Sequence, residues 1–219
     1  MSGARSLVAG LVGGLLVGLL LAGGVVASGW LDRPTPTHGD DAIAAFLQAW
    51  ADNRTGTFIT EATFVRTGRN DAELRSTVRV VQRPPSRVVT QFDSVEARVD
   101  GRPLRCTEDP AGQTLCGPEG PEGAPYAEIV DRELETLLGY LVGDPPLYDV
   151  EGDGDGCFDL TLARDLPYSP YGEAARFCFD EATGAMVLAH IERLEATDVT
   201  EAYLVVGEVD DEDLRTPTG

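Results

Sequence analysis

Four cysteines are the residues of this chain whose type and spacing come nearest to defined chemistry: Cys106 with Cys116, and Cys157 with Cys178. Neither spacing gives the C-x₂₋₄-C knuckle of a zinc site, and no C-x-x-C redox motif occurs. Each pair brackets a turn, so closure within its own hairpin makes two structural disulfides, Cys106–Cys116 and Cys157–Cys178. The second pair carries its own register test. If Cys157 opposes Cys178, then Phe158 opposes Phe177, Asp159 opposes Arg176 and Leu160 opposes Ala175. A slip of one residue would set charges against aromatics.

The remaining candidates for chemistry are sparse. The only histidines are His38 and His190, and the chain has neither G-x-S-x-G nor H-E-x-x-H. Glu151-Gly152-Asp153-Gly154-Asp155-Gly156 imitates the start of a calcium loop. Its twelfth position is Leu162, so the bidentate carboxylate is missing, and the segment reads as a turn. No catalytic residue, metal ligand or cofactor is assigned, and the chain is read as a non-enzyme.

The compartment follows from the leader. Leu7 to Ala27 is a charge-free apolar run with Arg5 as the only charge before it. It is long enough to cross a bilayer, and the positive-inside rule leaves everything after it outside the cytoplasm. Its length favours a retained single-pass anchor in the cell membrane over 1–28. Cleavage at Val25-Val26-Ala27 would instead release a secreted protein. The net charge of −20 argues against nucleic acid, and the 17 basic residues are all arginine, as codon bias in a GC-rich bacterial genome would give. Arginines concentrate between Arg66 and Arg105, a local +4 in an otherwise acidic chain. That face either neutralises acids elsewhere in the chain or receives an acidic partner.

The elements that would position these residues follow from periodicity. After an extended linker over 29–40, Ile43, Phe46, Leu47 and Trp50 mark one face of a helix capped by Asp40 or Asp41. Alternating strands follow, with Leu74, Val78 and Val80 on one side and Arg75, Thr77, Arg79 and Arg83 on the other. Val95, Ala97 and Val99 alternate in the same way. A second helix over about 127–142 carries Ile129, Val130, Leu134, Leu137, Leu138 and Leu141, and Gly143-Asp144-Pro145-Pro146 stops it. More strands run to 206, and the acidic stretch 207–219 is expected to be disordered. The fold class is α+β, with helices on one face of an antiparallel sheet.

Four short pieces resemble the lipoprotein-carrier (LolA-type) fold and its exported relatives, the LppX/LprG-type lipoproteins and RseB-type sensors. They are Ala49-Trp50-Ala51-Asp52, the strand 57–66, Arg83-Pro84-Pro85-Ser86-Arg87, and Phe179-Asp180-Glu181-Ala182-Thr183-Gly184. The likeness covers 41–206. It implies a strongly curved antiparallel half-barrel whose concave face is closed by helices, and a binding role without catalysis. The cysteine that such lipoproteins acylate after the leader is missing here. An apolar ligand, such as a lipid acyl chain or a lipoprotein, would then lie among Phe46, Trp50, Phe64, Val78, Val80, Leu134, Leu138 and Leu141. The alternative is a regulatory or scaffolding ectodomain that binds another exported protein.

Overall fold

The computed structural model describes residues 37–216 apart from 93, 100, 109–113, 119–122, 165 and 167–168. The apolar run, most of the linker and the turn at 109–112 lie outside the described residues. Among the described residues, no helix is long and apolar enough to cross a membrane.

Helix α1 spans Asp40–Thr55 and helix α2 spans Tyr126–Leu141. The first strands are β1 (Thr37–His38), β2 (Phe58–Gly68), β3 (Glu73–Arg83), β4 (Ser86–Gln91), β5 (Ser94–Val99) and β6 (Arg102–Glu108). The others are β7 (Thr114–Pro118), β8 (Tyr148–Gly152), β9 (Cys157–Leu162), β10 (Ala174–Phe179), β11 (Met186–Glu192) and β12 (Ala196–Val206). All pair antiparallel in one open 12-stranded sheet, in the order β1-β8-β9-β10-β11-β12-β2-β3-β4-β5-β6-β7. The α+β expectation holds at this level.

Helix α1 forms because Ala42, Phe46, Trp50 and Asn53 recur at three- and four-residue intervals and are all buried. The expected aspartate cap is not used. Gly39, with φ 61°, occupies the cap position, and Asp40 and Asp41 sit in the first turn, where their charge meets the positive end of the helix dipole. The other end is tied down by neighbours. Gln82 Nε2 donates to the carbonyls of Asn53 and Gly56, and the Tyr126 hydroxyl donates to that of Arg54. Gly56 admits no side chain, since a Cβ there would lie 2.4 Å from the Thr183 carbonyl.

Both disulfides are closed, and the second pair sets the register expected of it. Cys178 opposes Cys157, Phe177 opposes Phe158, Arg176 opposes Asp159 and Ala175 opposes Leu160. Arg176 pairs with Asp159 and, at 2.6 Å, with Asp153. Asp153 Oδ1 accepts the backbone N–H groups of Asp155 and Cys157, so the acid–glycine run is a turn feeding β9.

The apolar surface changes face along the sheet. Over β8–β11 it lies under the helices, where Phe46, Trp50, Leu137 and Leu141 pack on Tyr148, Val150, Phe158, Leu160, Phe177 and Phe179. Over β2–β6 a second core, Ile59, Val81, Val88, Val95, Ala97 and Cys106, packs instead with Val209 and Leu214. By strand alternation these residues point away from the helix side. The sheet therefore lacks the single dry face expected from the sequence. Within the stretch expected to be disordered, Val209 and Leu214 pack on this second core, and Leu214 is only 6% exposed. Arg79 holds Asp213 at 2.8 Å, and Arg83 holds Asp211 and the Val209 carbonyl. Two apolar residues flanking the acids, and arginines waiting on β3, turn a solvated-looking run into a packed one. Much of the local arginine excess is thus neutralised within the chain.

Asp198 on β12 is clamped by Arg66 at 2.6 Å and Arg193 at 2.9 Å and is only 6% exposed. The Arg66 hydrogen bonds, opposed by burial and aided by Arg193, hold its carboxyl below the ordinary 3.8. A depressed folded value gives stability that is fully present above the unfolded pKa and is lost as pH falls through the folded one. Asp198→Asn is therefore expected to remove about 1–3 kcal/mol near neutral pH. Urea midpoints should show that gap closing only below pH 3.8. A gap unchanged in acid would contradict the ion-pair account.

Candidate functional site

A hollow of about 410 Å³ lies between the helices and the middle of the sheet. From α1 it receives Trp50, Asn53 and Arg54, and from α2 Glu133. The sheet supplies Phe58, Thr60 and Ala62 of β2, Val78 and Val80 of β3, Arg87 of β4, Met186 and Ala189 of β11, and Thr200 of β12. Ladder registers put these on one face: Thr60 opposes Val80, Ala62 opposes both Val78 and Ala202, and Ala189 opposes Thr200. Small side chains at Thr60, Ala62, Ala189 and Thr200 keep the space open. Its size falls within the range of small-molecule sites.

The hollow is lined by apolar side chains together with a group of charged ones. Trp50 Nε1 donates to Glu133 Oε1 at 2.9 Å, and Arg54 Nε lies 2.9 Å from Glu133 Oε2. Glu133 thus spends both oxygens holding α1 to α2. Arg87 is half-buried beside them and makes no hydrogen bond at its Nε. Burial first, and the nearby Arg54 charge second, lower its pKa to about 10, so it remains a cation at neutral pH. Beyond Arg54 and Arg87 a second cavity of about 170 Å³ continues along β4–β6, lined also by Glu96 and Arg98.

Of the eight residues expected to line a site, the structure brings Trp50, Val78 and Val80 together in the hollow. Phe46 and Leu141 are closed core, at 0% and 3% exposure, and Leu134 packs against that core. Leu138 falls on the outer side of α2 and is 41% exposed. Phe64 lies farther along β2 against Phe92, with ring centroids 6.2 Å apart. The polar members, Arg54, Arg87 and Glu133, were missed. The signal that could have found Arg87 is its phase: it alternates against Val88, whose side belongs to the second core.

Neither a family model nor a curated protein sequence matches the chain. Its structure has a likeness to several solved structures. A crystal structure of MucB shares 14% identity at a TM-score of 0.48, covering 81% of this chain and 63% of that one. LprF from Mycobacterium bovis shares 11% identity at a TM-score of 0.38, covering 84% of this chain and 100% of that one. A LolA superfamily protein from Nitrosomonas europaea shares 9% identity at a TM-score of 0.27, over 80% and 98% of the two chains.

Proposed function

We propose that this chain is a non-catalytic binding domain that takes an apolar ligand, such as a lipid acyl chain, into the hollow between its helices and its sheet. The observation that carries this reading is the hollow of about 410 Å³ itself, bounded by Trp50, Phe58, Val78, Val80 and Met186 where a filled core would serve stability better. In this reading the sheet is a half-barrel, concave toward the helices. The domain is exported, as two closed disulfides suit, and the apolar run from Leu7 to Ala27 holds it at the membrane.

Val78→Trp tests the reading by filling the space from β3. The wild-type full chain should carry or take up an alkyl-chain ligand in native mass spectrometry, and the variant should lose at least about tenfold in uptake while remaining folded. A wild-type chain that takes up no such ligand would sink the idea. A second reading, a scaffolding ectodomain for another exported protein, is favoured by Tyr203, Leu204 and Val206, exposed by 61%, 42% and 37%. Crosslinking through Tyr203 to one protein partner, with the hollow empty, would favour it.

A further inference from the structure

Arg87 lines the hollow, and its Nε, like that of Arg54, is buried without a hydrogen bond. Its cross-strand neighbours are Gln82 and Arg98. Gln82 turns its amide nitrogen to the end of α1, and its Oε1 makes no hydrogen bond either, so the two do not satisfy each other. Arg98 donates to the Gly101 carbonyl and brings a like charge. Glu133, the acid that lines the same hollow, is committed to Arg54 and Trp50. Arg54, Arg87 and Glu133 together leave one positive charge uncompensated among them, and Glu96, the other acid whose charge reaches Arg87, is largely exposed and lies 3.8 Å from Arg105. A half-buried guanidinium that lines both cavities and makes no hydrogen bond at its Nε is suited to a bidentate anion.

We infer that the hollow selects amphipathic anions: a carboxylate or phosphate head pairs with Arg87 beside Arg54, while the attached chain runs along Trp50, Val78, Val80 and Met186. This rests on the binding reading above and adds the chemistry of the head. Arg87 stands where the apolar hollow meets the second cavity, so the head and its substituents have room on the β4–β6 side.

Calorimetric titration of the purified full chain with dodecanoate, dodecyl phosphate, dodecanol and inorganic phosphate tests it. Dodecanoate or dodecyl phosphate should bind at least about tenfold more tightly than dodecanol, and the tighter of the two assigns the head. Arg87→Gln should erase that preference, weakening the anions at least about tenfold and leaving dodecanol within about twofold. Arg75→Gln, on the exposed pair with Glu73, should change neither. Unliganded Arg87→Gln should melt at or above the wild-type temperature, because it removes a desolvated charge whose Nε has no hydrogen bond. A lower melting temperature would make Arg87 a structural partner and overturn the inference. So would dodecanol binding the wild type as tightly as dodecanoate, or inorganic phosphate binding as tightly as dodecyl phosphate. If none of the three chains binds, it is the underlying binding reading that fails.

Discussion

Phe46→Ala is expected to lower the unfolding free energy by about 3–5 kcal/mol. The ring is 0% exposed and sits among Trp50, Phe158, Phe177 and Phe179, at centroid distances of 5.6, 5.5, 6.0 and 6.4 Å. Truncation would leave a void whose other walls are strands β9 and β10, fixed by their own ladder and by the Cys157–Cys178 bridge. Such walls collapse little, which places the cost at the upper end. For a chain of this size each kcal/mol shifts the melting temperature by ~2–4 °C. Leu138→Ala, on the same helical layer but 41% exposed, should change stability by under about 0.5 kcal/mol. Equal losses in the two variants would mean that α1 is not seated by Phe46.

The Cys157→Ser/Cys178→Ser double variant should lose about 3 kcal/mol from loop-closure entropy. The Cys106–Cys116 bridge closes 10 residues against 21, so opening it should cost somewhat less. The two bridges also do different work. Cys157–Cys178 joins strands that carry Phe158 and Phe177 into the helix-side core, whereas Cys106–Cys116 pins the outermost pair of the sheet. Changing both members of a pair avoids an orphan thiol that could exchange with the other bridge. Unreduced peptide mapping should recover 106–116 and 157–178 as the disulfides. Crossed peptides, or a double variant as stable as the wild type, would contradict this assignment.

The parts legible in the sequence were those where two signals agreed. Phe46 and Trp50 at helical spacing gave α1, and the cysteines with Asp159, Arg176, Phe158 and Phe177 gave the β9–β10 register residue by residue. Signals failed where a strand was short or its covered side polar. β8 alternates over only five residues between Pro146 and a glycine turn, and the first half of β12 is polar because its covered position is the ion-paired Asp198. Alternation also shows that a strand has two unlike sides without saying what lies over each. Val95 and Ala97 were legible as one side of an alternating strand, but their cover is Val209 and Leu214, and Val81, in phase with Arg79 and Arg83, shares that cover while Val78 and Val80 face the hollow. The hollow was the least legible feature. Its apolar wall uses residue types that fill any core, and its cation is identified only by the partners it lacks.

Strands β2 to β7 and β8 to β12 are two runs of sequential hairpins, joined along the sheet by β2 against β12. Every hairpin closes over a short stretch of chain, whereas that junction brings Phe64 to Thr200 and Ile59 to Val206. Loop-closure entropy makes such a pairing the late step of folding, after each meander has formed. The hollow straddles this seam, taking Thr60, Val78 and Arg87 from one meander and Met186, Ala189 and Thr200 from the other. Neither meander holds the cavity alone. An occupant would therefore act as a clasp across the last contact to form, binding only the closed sheet and slowing the separation of its halves in proportion to its own affinity.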